Sequence, residues 1–120
     1  LVLVQDTSAV HLNERDFDLL TSILNACKLT IADIALVNLA NKNYSLHQIL
    51  TQAPSEIVLI FDINPTQLKI KLPTKIYSPI LLGETQLLFS NNLSNMQGID
   101  QDSKIEKTKL WNALKVIFKL

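Results

Sequence analysis

The stretch that decides the fold is EIVLIFDI, residues 56–63: Glu56-Ile57-Val58-Leu59-Ile60-Phe61-Asp62-Ile63. It is β-branched and aromatic with almost no polar alternation. A strand with one face in water alternates, whereas one covered on both faces reads as a continuous apolar run. Working outward, LVLVQ at 1–5 and QLLFS at 86–90 have the same character, and ALVNLA at 35–40 is a shorter version of it. Between these runs the apolar residues recur at helical spacing. Asn13 is placed to cap a helix, with Glu14 and Asp16 in its first turn, where the helix dipole favours anions. Phe17, Leu20, Ile23, Leu24 and Cys27 form its inner face. Ser45 opens a short helix with Leu46, Ile49 and Leu50 inward, closed by Pro54. Thr30 and Asp33 have capping-box spacing for a single turn. Ser103 and Glu106 have the same spacing before a last helix whose apolar face carries Leu110, Trp111, Leu114, Ile117 and Phe118.

Doubly covered strands alternating with helices predict an α/β fold: a three-layer α/β/α sandwich around a mostly parallel sheet. Two further segments carry local expectations. QLKIKLP at 67–73 alternates, with Leu68, Ile70 and Leu72 opposite Lys69 and Lys71, and reads as a lysine-protected edge strand. NNLSNMQGIDQD at 91–102 reads as a polar loop. At 120 residues the chain is one domain, 1–120, able to bury a core without metals or disulfides. It starts in mid-strand at Leu1, so a preceding N-terminal segment is expected to be missing from it.

Composition narrows the function. Formal net charge is zero, so global charge selects no partner and permits association. Two glycines are too few for a phosphate-binding loop or a dinucleotide fingerprint. His11 and His47 are isolated, and nothing has metal-ligand spacing, so neither cofactor nor metal is expected. Cys27 is the single cysteine. Its place on an apolar helix face makes it a buried structural thiol, as suits a reducing compartment. No apolar run is long enough for a spanning helix, so no membrane partner is expected.

The carboxylates at strand ends are Asp6 and Asp62, where α/β folds bind ligands. Asp62, before Asn64-Pro65, is read as a turn former. Gln5-Asp6 is either a functional corner or a plain strand end. Lys69, Lys71 and Lys75 form one basic cluster, and Lys104, Lys107, Lys109, Lys115 and Lys119 decorate the last helix. Lysines of this kind neutralise phosphates, but interspersed Asp100, Asp102 and Glu106, and Arg15 as the sole arginine, favour a solvated face and leave direct DNA contact undecided. Trp111 is a core residue or a partner anchor, a role in which tryptophan is enriched. Tyr77 and Ile80 lie in IYSPILLGETQLL, an apolar stretch expected to expose a contact patch.

The order of landmarks resembles the psi subunit of bacterial DNA polymerase III. The opening strand with its polar pair is LVLVQD, and a helix and short strand follow in DFDLLTSILNACKLTIADIALVNLA. SLHQIL supplies a small helix, QLLFSNNLSNM a late strand and loop, and KTKLWNALKVIF a last helix with a Leu-Trp pair. The resemblance implies a uracil-DNA glycosylase-like fold without catalytic activity. It further implies a cytoplasmic role in the clamp-loader assembly, with clamp-loader and chi-like subunits as protein partners. Glycosylases carry Gly-Gln-Asp-Pro-Tyr after the first strand and His-Pro-Ser-Pro-Leu-Ser after the last. Gln5 and Asp6 match the first motif, with Val4 at its glycine and Thr7-Ser8 at its Pro-Tyr. Asn91, Asn92, Leu93 and Ser94 match the region of the second, with its histidine replaced by Ser90 or Asn91. These loops are therefore read as vestigial. The alternatives are a divergent glycosylase-like enzyme using Asp6, and a generic α/β protein-binding domain.

Overall fold

A computed structural model describes residues 1–71 and 73–120. Among the described residues, five strands form one sheet: β1 (Val2–Val4), β2 (Leu36–Asn38), β3 (Ile57–Phe61), β4 (Ile80–Leu82) and β5 (Thr85–Ser90). Their order across the sheet is β2-β1-β3-β5-β4. The first four of these run parallel, and β4 pairs antiparallel with β5 at the edge. The same described residues form three α-helices: α1 (Glu14–Ala26), α2 (Leu46–Gln52) and α3 (Gln101–Phe118).

The unbroken apolar strands have the expected cause. Successive side chains point to opposite faces, and each face has its own core. Val2, Val4, Leu59, Phe61 and Leu88 pack under α1 and α3. Leu3, Val58, Ile60, Leu87 and Phe89 pack on the other side, against Leu46 and Ile49 of α2 and against Leu68. The α/β class, the mostly parallel sheet and the helices on both faces thus follow from residues 56–63 and their neighbours. Cys27 is buried in the first core, and burial pushes its thiol pKa up.

Four local expectations change. Residues 67–71 do not form a strand. Pro65–Leu68 is a 3₁₀ helix, and Lys69 closes it in the left-handed region at φ 58°. Asn64 caps the turn and Gln67 caps it back, while proline presets the first φ. Leu68, the residue read as one tooth of an alternating strand, is buried by this turn instead. Leu72, on the same expected face, lies outside the described residues.

The antiparallel edge is β4 instead, turned back onto β5 through Gly83 at φ 62°. The polar loop after β5 contains a 3₁₀ helix, Leu93–Met96, whose two end residues are buried in the first core. Finally, α3 is capped by Asp100, whose carboxylate accepts from the Ser103 backbone N–H at 3.4 Å and from the Ser103 hydroxyl at 2.7 Å. Glu106, expected to complete a box with Ser103, points elsewhere, as described next. No helix among the described residues is long and apolar enough to cross a membrane.

Candidate functional site

The chain leaves β1 for β2 through α1, then crosses back to β3 through α2 on the opposite face. The β1/β3 boundary is therefore the point where the topology switches. Open α/β sheets leave a crevice there, beyond the carboxyl ends of the strands. A cleft of about 280 Å³ occupies that place. Gln5 and Asp6 enter from the end of β1, Asp62 from the end of β3, and Asn92, Leu93 and Ser94 from the loop after β5. Two segments some 85 residues apart in sequence are thus walls of one cleft.

The wall after β1 is organised by Asp6. One carboxylate oxygen accepts from the Ser8 backbone N–H at 2.9 Å and from the Ser8 hydroxyl at 2.5 Å. The other accepts from the Asn13 backbone N–H at 2.8 Å and from Asn13 Nδ2 at 2.9 Å. The Ser8 hydroxyl first, then the other donors, hold the carboxyl pKa down to about 2. Asp6 is thus an ionised acceptor with both oxygens occupied. A group with so low a pKa is a weak proton acceptor at neutral pH, where an effective general base is poised far higher.

Asn38, at the end of β2, holds the same loop from below. Its Oδ1 accepts from the Asp6 N–H at 3.0 Å, and its Nδ2 donates to the Asp6 carbonyl at 2.7 Å and the Ala9 carbonyl at 3.0 Å. Burial explains this geometry, because a buried amide has to find partners for its donors and its acceptor.

Asp16 joins the two walls. It is buried in the first turn of α1. It accepts from Asn13 Nδ2 at 2.9 Å, from the Ser94 hydroxyl at 2.9 Å and from Gln97 Nε2 at 3.1 Å. The sequence marks Asp16 only as a dipole-compensating acid. Its spacing from Asn13 was the available signal for a cap, but nothing local announces Ser94 and Gln97.

Smaller contacts set the rest of the rim. Gln5 Oε1 accepts from Gln67 at 3.0 Å. Asn92 caps the Leu93–Met96 turn through the Ser94 N–H at 2.9 Å and donates to Asp62 at 3.3 Å. Asp62 itself has left-handed backbone, φ 55°, as suits the turn role expected of it. Leu93 points down into the core.

Asn91 lies outside the cleft. Its Nδ2 donates to Glu106 at 2.9 Å, and the Tyr77 hydroxyl donates to the same Glu106 oxygen. Burial, followed by this carboxylate, pushes the Tyr77 pKa up to about 12. The Tyr77 and Asn91 donors pull that of Glu106 down. Tyr77 is thereby tied to α3, with its ring packed on the first core. Ile80 is half-buried on β4 against the second core. Trp111 is half-buried between α1 and α3.

Chemically, the cleft offers hydroxyl, amide and carboxylate groups. Its charged lining residues are Asp6, Asp16 and Asp62, an arrangement that repels phosphate. His11 and His47 are not among the lining residues. Among the described residues no group of three or more His, Cys, Asp or Glu is placed to hold a metal ion. Compared with protein-family models, curated proteins and solved structures, the chain has no significant match.

Proposed function

We propose that this chain is a non-catalytic protein-interaction subunit, with a glycosylase-like fold and a role resembling that of psi subunits in the clamp-loader assembly. The observation that carries the proposal is the state of Asp6. In a glycosylase the matching aspartate must present a free oxygen to a water. Here four donors from the chain's own loop saturate both oxygens. The residue serves as a loop organiser, and Asp16 finishes that job by tying the loop wall at Ser94 to α1. The meeting of Gln5-Asp6 with Asn92–Ser94 across one cleft supports the scaffold side of the resemblance. The carboxylate lining supports protein binding over DNA binding at this end of the sheet, since phosphate contacts supply most non-specific DNA affinity.

That same cleft favours one rival, a divergent base-excising enzyme. The discriminating experiment incubates the protein with uracil-containing single-stranded DNA and scores abasic sites, alongside Asp6→Asn. No abasic sites above background are expected. Cleavage that disappears in the variant would establish the rival. Co-purification from the native source tests the assembly: recovery of clamp-loader subunits is expected, and their absence would leave a binding domain of another system.

A further inference from the structure

We infer that the groove between α1 and α3 docks an acidic amphipathic peptide segment of a partner protein, with Trp111 as its anchor. This rests on the reading of the chain as a protein-binding subunit and names the chemistry of the partner.

The groove follows from the fold. Helices α1 and α3 each leave the carboxyl end of a parallel strand, so they descend the same face side by side. The Leu93–Met96 turn packs against both at their upper ends and inserts Leu93 and Met96 beneath them. Lower down, a groove of about 230 Å³ remains between the helices. Leu19, Ile23 and Ala26 line one side, and Leu110, Trp111 and Leu114 the other. Ser22 stands exposed on its α1 rim. Such a trough suits helix-in-groove recognition, in which apolar anchors at i, i+3, i+4 and i+7 are laid in.

Charge selects the occupant. Lys104, Lys107 and Lys115 lie seven and four residues before Trp111 and four after it, so they share its stripe on α3. All three are exposed. Lys107 and Lys115 have no acid three or four residues away on the helix. The acids of α3, Asp102 and Glu106, fall on other faces, and Glu106 is engaged with Tyr77 and Asn91. On α1, Glu14 and Asp18 recur at four-residue spacing with Ser22 while Arg15 lies four before Leu19, so the cationic excess of the rim comes from α3. A partner with apolar anchors and glutamates or aspartates beside them matches this rim, and a basic one is repelled.

The test uses a model peptide with leucines at i, i+3, i+4 and i+7 and glutamates elsewhere. Its control has lysines in place of the glutamates. Trp111 is the only tryptophan, so its emission reports binding directly. The glutamate peptide should shift Trp111 emission saturably, with an affinity about tenfold above that of the lysine peptide. Lys107→Glu with Lys115→Glu should reverse the preference. Ser22→Glu, at an exposed position outside the core, should weaken the glutamate peptide by about tenfold without unfolding the protein.

Equal binding of both peptides, or binding indifferent to these charges, would overturn the inference. So would a concentration-dependent dimer abolished by Ser22→Glu, which would make a second copy the occupant, or displacement of the peptide by single-stranded oligothymidylate. Recovery of clamp-loader subunits together with a failed peptide assay would move the contact to another surface. The converse pair of results would keep the groove and remove the replicative role.

Discussion

Replacing Asp6 with asparagine should cost folding stability at neutral pH and progressively less as the pH falls toward 2. The carboxylate has an ordinary value of 3.8 and is held at about 2 in the folded chain. At about 1.4 kcal/mol per pH unit, that difference is worth roughly 2.5 kcal/mol at most. Asp6 stands partly exposed at the mouth of the cleft, and solvent screening reduces the figure to roughly 1 kcal/mol. Geometry supports a loss of similar size. An amide oxygen can still accept from the Ser8 pair, but the amide NH₂ then faces the two donors of Asn13. Two hydrogen bonds are lost and donors are opposed, costing about 1–2 kcal/mol.

The sign follows from the depressed value. The contribution is fully present above the unfolded pKa of 3.8, and it fades as pH falls toward the folded value of about 2. Urea denaturation of wild type and Asp6→Asn from pH 7 down to pH 2 measures it. The stability difference should be about 1–2 kcal/mol at pH 7 and should shrink steadily below pH 4. A difference that is absent at pH 7, or that keeps its full size at pH 2, would refute the view of Asp6 as a structural acceptor.

Asp16→Ala should destabilise by about 2–3 kcal/mol in the same assay, because three donors lose a buried partner. Backbone chemical shifts should move in the Leu93–Met96 turn as well as in α1, whereas a purely local cap would move α1 alone. Met96→Ala should cost about 2–4 kcal/mol, since Met96 is fully buried where the turn supports α1 and α3. Thermal or urea unfolding checks it, and a loss below that of an exposed substitution would contradict the wedge. Spectrophotometric titration should show a tyrosine ionising near pH 12 that vanishes in Tyr77→Phe. Ionisation of Tyr77 near pH 10 would mean that its hydrogen bond to Glu106 is not formed.

The layout was legible where burial writes itself into the order of residues. Val58 to Phe61 lack alternation because the sheet has a core on each face, and one strand's composition reports both. Asn13 and Ser45 were legible as caps because a cap is satisfied within three residues of itself. Residues 67–71 misled because alternation of Leu68, Lys69 and Ile70 imitates a strand, while the local chemistry of Asn64, Pro65 and Gln67 dictated a tight turn. The buried Leu93 and Met96 were hidden among polar neighbours, since two apolar residues in a short turn carry no period.

Local sequence is enough for the class of fold, the helix starts at Asn13 and Ser45, and most of the inward helix faces, with Phe17 of α1 the exception that joins neither core. Those depend on propensity, periodicity and contacts only a few residues long. The tertiary structure alone decided that Gln5-Asp6 meets Asn92–Ser94 and that Asp16 joins them. It also turned Glu106 toward Tyr77 and left a groove beside Trp111. Each of these pairs residues far apart in the chain, and their meeting is set by strand order and by the wedge between two helices, neither of which is a property of any local stretch.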